Sequence, residues 1–175
     1  MSETFAEILT AGGHANSLGR VNEVIEHVLK DRKRLDELYG CLFADDAWVK
    51  MRAADALEKI CRQHPDWILP YIDRFSQELA PDKQPSIQWH LAQIYRQVPL
   101  AQDQKHFAIN WLKGLLSASE ADWIVVTNAM DTLMQFTQAA EFSKDEMIKL
   151  LKIQQLHKSK SVARRATKLL NELLL

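Results

Sequence analysis

Apolar residues recur along this chain at helical spacing, and the pattern repeats itself. In WVKMRAADALEKI (48–60) Val49, Ala53, Ala56, Leu57 and Ile60 stand at i, i+4, i+7, i+8 and i+11, the stripe of a helix buried along one face. The same template starting from Ile87 collects Leu91, Ile94, Tyr95 and Val98. From Val125 it collects Ala129, Thr132, Leu133 and Phe136, and from Val162 it collects Ala166, Leu169, Leu170 and Leu173. The intervals are 38, 38 and 37 residues, and a near-constant interval of that length signals a repeat array. A second helical segment precedes each of these helices, at 34–43, 66–80, 103–117 and 144–158, so each repeat reads as a helical hairpin. A further helix over 18–30 forms a half-repeat or cap. No period-two run and no Asn-Gly or Asp-Gly turn signals a strand.

The breaks between segments carry their own chemistry. Asp46 and Asp122 precede the helices that follow them and read as N-caps, their carboxylates taking up unpaired amide donors of the first turn. His64-Pro65 and Val98-Pro99 stop two helices, because the residue before proline avoids helical backbone angles. Pro70 is expected within the first turn or so of the helix at 66–80, where proline is tolerated.

Composition sharpens the class. The chain has 175 residues, 47% hydrophobic and 26% charged, with only five glycines and five prolines, which excludes disorder and low-complexity filaments. Two cysteines, Cys41 and Cys61, cannot make a disulfide framework or a four-thiolate zinc site, so an intracellular, reduced chain with both thiols packed in the core is expected. The N-terminus has no secretory pattern and no window approaches a membrane span, so a cytoplasmic location and no membrane partner are expected. Lys plus Arg is 22 against 23 Asp plus Glu, a net charge of -1, which gives no general attraction for nucleic acid. The charge is uneven, however. Residues 143–175 carry eight basic and three acidic side chains, while the first 142 carry 14 and 20.

The stretch DDAWVKMRAADALEKI resembles the HEAT-repeat signature, in which an acidic turn is followed by Val and a basic residue and then an Ala-rich segment ending in Leu and Ile. Here those positions are Asp45, Asp46, Val49, Lys50, Ala53, Ala54, Ala56, Leu57 and Ile60. The likeness fades in the later repeats, where Gln88 follows Ile87 and Val126 follows Val125. The resemblance implies an all-α superhelix of about four hairpins, with repeats near 32–64, 65–98, 100–138 and 143–175 and a cap at 1–31, the second helix of each hairpin lining a concave face. Such a stack builds its core from contacts between neighbours.

Candidate chemistry is sparse. The six histidines never fall three or four apart and no His-Glu dipeptide occurs, so neither a metal nor any other cofactor is expected. No G-x-S-x-G, P-loop or G-x-G-x-x-G element is present, and no catalytic residue is assigned. AGGHANSLGR (11–20) offers a glycine-rich helix start beside Arg20 that an anion could occupy, but an ordinary loop capped by Asn16 or Ser17 explains it better. Trp48, Trp67, Trp111 and Trp123 flank apolar helix positions and are assigned to the core.

The informative constellation follows from the repeat. Positions three, six and ten after each aligned aliphatic residue point away from the buried stripe. They give one row of Arg52, His90, Asn128 and Arg165, a second of Asp55, Gln93, Asp131 and Lys168, and a third of Lys59, Gln97, Gln135 and Glu172. Every entry is polar. An idle solvated face accounts for that as readily as a binding surface does. The expectation is a non-catalytic interaction or scaffolding module that binds a protein along this accessible face, through Arg52, Asp55, Lys59, His90, Gln93, Asn128, Asp131, Arg165 and Lys168. The rival reading is a nucleic-acid-binding or DNA-repair protein resembling the HEAT-like alkylpurine glycosylases, with Asp131 or Asp55 as the acid and Trp89 or Trp123 as the aromatic contact. At the C-terminus Leu174 and Leu175 either fold back or stay exposed, and an exposed pair suggests weak self-association or partner docking there.

Overall fold

The computed structural model describes residues 3–14, 17–117 and 119–175. Ten helices, a short 3-10 turn at Arg32–Arg34 and no strand are present among them. The helices are α1 (Phe5–Thr10), α2 (Val21–Lys30), α3 (Leu35–Cys41), α4 (Ala47–Gln63), a composite α5, α6 (Pro85–Tyr95), α7 (Gln102–Leu116), α8 (Trp123–Gln138), α9 (Lys144–Gln154) and α10 (Lys160–Leu174). The composite α5 runs through α-helical Pro65–Ile68, a 3-10 turn at Leu69–Tyr71, α-helical Ile72–Arg74 and a π turn at Phe75–Leu79.

The helices form two layers. In the inner layer α4, α6, α8 and α10 pack side by side in chain order, and α2 packs on the open side of α4. The outer layer holds α3, α5, α7 and α9, each folded back on the inner helix that follows it. The core runs continuously between the layers, as neighbour-only packing requires. Val49, Ile87, Val125 and Val162 are all buried, as are Leu57, Leu91, Leu133 and Leu169 at or beside the predicted stripe. Asp46 accepts from the amides of Trp48 and Val49, and Asp122 from that of Ile124, so both predicted caps are in place.

Some expectations are corrected and some details are new. Helix α2 begins at Val21 rather than 18, and neither Ser17 nor Arg20 caps it through its side chain; Asn16 lies outside the described residues. Ahead of it α1 is a helix the periodicity did not reveal, six residues long and closed by a capping box between Thr4 and Glu7 that satisfies two amide donors reciprocally. Pro70 falls in the second turn of its helix, and the chain tightens locally to 3-10 geometry around it, because proline has no amide to give to the carbonyl of Asp66. Trp123 is 54% exposed and Trp48 is also on the surface, because they occupy the first and second positions of α8 and α4, at the hairpin-turn edge rather than between the layers. Leu173 is buried with the rest of the stripe, while Leu174 and Leu175 are both exposed, so the terminal pair does not fold back.

Candidate functional site

The three polar rows lie on the inner helices, and the structure shows that many of their members are fastened to residues that precede them by about one repeat. Row-one side chains reach back 34 to 43 residues. Arg52 donates from Nε to the Ser17 carbonyl at 3.0 Å and from Nη1 to the Leu9 carbonyl at 2.5 Å. His90 Nε2 stands 3.8 Å from Asp55 Oδ1. Arg165 donates from Nε and Nη2 to Asp131 Oδ1 at 2.9 and 2.8 Å. Asn128 breaks the pattern and bonds within its own helix, to the Ile124 carbonyl. Row-three glutamines reach back as well, Gln97 to Glu58 Oε1 at 2.6 Å and Gln135 to the Arg96 carbonyl at 3.1 Å.

This stitching overturns part of the expected accessibility. Arg52 is 3% exposed and His90 6%, so neither is on the surface. Arg52 is buried because α1, whose last carbonyls need donors, lies directly over it; a cation at a helix C-terminus satisfies both the carbonyls and the helix dipole. Asp55, Lys59, Gln93, Asn128, Asp131 and Arg165 are half-buried, and Lys168 is exposed.

Two recesses each gather several of these residues. One, about 390 Å³ between α4 and α6, is lined by Leu18, Met51, Asp55, Glu58, Lys59, Arg62, Trp89, His90 and Gln93. The other, about 380 Å³ beside α8 and α10, includes Arg96, Asp131, Gln135, Arg165 and Glu172. Asp55, Lys59, His90 and Gln93 are thus brought together, and Asp131 and Arg165 are brought together separately; Asn128 and Lys168 line neither recess. Trp89 joins Asp55 in the first, whereas Trp123 lines neither.

Glu58 is the residue that sequence reasoning passed over. It is almost fully buried, held by Arg62 Nη2 at 2.7 and 2.8 Å and by Gln97. Its signals were an i, i+4 Glu–Arg pair and a place immediately beside the buried stripe.

Protonation follows from the same contacts. The His90 Nδ1 donates to the Ser86 carbonyl at 2.7 Å, since a carbonyl can only accept, and Nε2 accepts from the Trp89 indole at 3.1 Å. This contact fixes the Trp89 indole. Burial pushes the Asp55 carboxyl up; the His90 ring and the Lys59 ammonium pull it down and prevail, so it stays below the ordinary aspartate range. Burial raises the thiols of Cys41 to about 11 and Cys61 to about 12, with the nearby carboxylates of Glu37 and Glu58 adding to it, and both cysteines are free and buried. In the glycine-rich segment Arg20 is not free for an anion, because it is engaged by both Glu3 and Glu23. Among the described residues no group of three His, Cys, Asp or Glu is placed to hold a metal, and no helix is long and apolar enough to cross a membrane.

Comparison with known proteins bears on this arrangement. No curated protein matches the sequence. The family model described as the HEAT repeat domain matches residues 13–121, from the loop before α2 to the turn before α8. That span includes the signature stretch around α4, and it covers well over half of a chain whose helices stack as successive hairpins, so the chain belongs to the HEAT repeat family.

Proposed function

We propose that this chain is a non-catalytic interaction module that holds a protein partner along the exposed edge of its inner helices, seated in the two recesses. The family supports the coarse reading, since helical repeat arrays commonly mediate protein interactions. The observation that carries the finer one is that the two recesses, each large enough for one or two side chains, open among row residues on the same layer of helices. The array divides on this reading into a cap at 1–31 and hairpins at 32–64, 65–98, 100–138 and 143–175. Arg52 is assigned to the architecture; Asp55, Lys59, Gln93, Asp131, Arg165 and Lys168 are the contact residues.

Site-specific photo-crosslinking tests this. A crosslinker at Gln93 and another at Gln135 should trap the same protein in cells, and one at the outer-layer Lys149 should not. The trapped protein, purified, should lose binding to Gln93→Trp and Gln135→Trp chains that retain their helicity. Equal trapping at Lys149, or undiminished binding by both variants, overturns the reading. Duplex DNA retarded in a steeply salt-dependent manner would favour the nucleic-acid alternative instead.

A further inference from the structure

The recess between α4 and α6 has a charge arrangement its size alone does not require. Its acids are deep and its bases are shallow: the side chains of Asp55 and Glu58 are 15% and 4% exposed, whereas those of Lys59 and Arg62 are 32% and 66% exposed. Lys59 Nζ stands 2.8 Å from Asp55 Oδ2, yet that oxygen is buried and in hydrogen-bonding alignment with no donor. Lys59 and Arg62 also line the adjoining recess with Glu26 and Asn22, so they stand on a ridge between two sites and have another carboxylate to turn toward. Trp89 forms a wall of the first recess, and its indole N–H is already spent on His90, which leaves the ring's face as what it offers a visitor.

Resting on the reading that a protein partner lies along this face, we infer that the recess takes an arginine side chain of that partner. A guanidinium presents planar paired donors that suit the half-satisfied carboxylate of Asp55 and a flat cationic surface that stacks on indole. The aliphatic stem of arginine meets Met51 and Leu18 on the way in. Lys59 gives way, swinging outward with its charge still in water; a partly exposed pair of this kind costs little to open. An anion is disfavoured, since it would face two deep carboxylates.

The test uses the full chain and three short capped peptides, acetyl-Ala-Arg-Ala-amide and its lysine and citrulline counterparts, followed by the Trp89 indole N–H resonance and the amides of Asp55 and Gln93. The arginine peptide should shift these saturably, with a dissociation constant on the order of 1 mM as befits a single anchor. Citrulline, equal in shape but uncharged, should bind at least tenfold more weakly, and lysine should fall between. Asp55→Asn should lose about tenfold while Asp131→Asn, in the other recess, loses nothing. Citrulline binding as well as arginine, or no saturable shift at Trp89, overturns the inference even if the Asp55 variant fails to fold, because both comparisons are made on the unaltered chain. Continued crosslinking at Gln93 alongside such a result leaves the wider reading standing; loss of both removes the two together.

Discussion

Replacing Arg52 by methionine isolates the change in reading that the structure forces. The substitution keeps an unbranched apolar stem at this buried position and removes the guanidinium. Two bonds go, to Ser17 O at 3.0 Å and Leu9 O at 2.5 Å, together with a weaker approach to Thr10 O at 3.5 Å. A hydrogen bond from a charged donor contributes roughly 1.5–3 kcal/mol, so two give roughly 3–6. The Ser17 carbonyl lies in a half-buried loop and regains water, which sets the expectation near the lower bound, about 3 kcal/mol. That is a large share of the roughly 5–15 kcal/mol of a typical domain. Urea unfolding followed at the helical band should show the loss, and hydrogen exchange should place it: amides of α1 and α2 lose protection while those of α8 and α10 do not. Arg52→Lys should recover part of it, one ammonium being unable to reach both carbonyls in the geometry of the fork. A loss below about 1 kcal/mol with protection of α1 intact would refute the assignment of Arg52 to the architecture and return it to the binding face.

Other outcomes follow from single features. Leu57→Ala should cost about 2–5 kcal/mol through lost burial and a cavity, whereas Lys59→Ala, at the edge of a recess, should change the urea midpoint little; equal losses would refute the amphipathic assignment of α4. Gly19 has φ 51°, and a Cβ there would lie 2.7 Å from the Gly12 carbonyl and 3.2 Å from Arg52 Cζ, so Gly19→Ala should destabilise by more than the usual ~1 kcal/mol for a left-handed position, read by thermal melting. Ala140 ends α8 in the left-handed region at φ 58°, with Glu141 N–H bonded to the Phe136 carbonyl and Ala140 N–H to that of Thr137; Ala140→Gly should therefore stabilise by about 1 kcal/mol in the same melts. Burial holds the Tyr95 hydroxyl up at about 12 and Cys61 at about 12, against ordinary values of 10 and 9. Raised values in the folded state mean stability fully present below the unfolded values and lost as pH rises through the folded ones, so the urea midpoint should fall from about pH 9 to 12, and Tyr95→Phe should make that fall shallower.

The order of helices, the hairpin repeat and the aliphatic core were determined by the sequence alone, because they rest on local periodicity: a stripe at i, i+4, i+7 and i+8 buries one face wherever the helix ends up. The caps at Asp46 and Asp122 were legible for the same reason, each serving amides two or three residues away. Short range has its limits, and the six residues of α1 are too few to show a period. Which polar residues are surface and which are mortar was decided by the tertiary structure. Arg52 and Lys168 look alike in sequence, but only Arg52 has the carbonyl end of another helix laid over it, a partner 43 residues away. One partial trace was present: an acid in row two and a base in row one of the following repeat, Asp131 and Arg165, stand at the interval that stacking converts into contact. The recess owes its chemistry to the same conversion, since Asp55 and Glu58 belong to one helix and Trp89 and His90 to the next, and only the stacking of α6 on α4 turns four separate polar or aromatic positions into walls of one site.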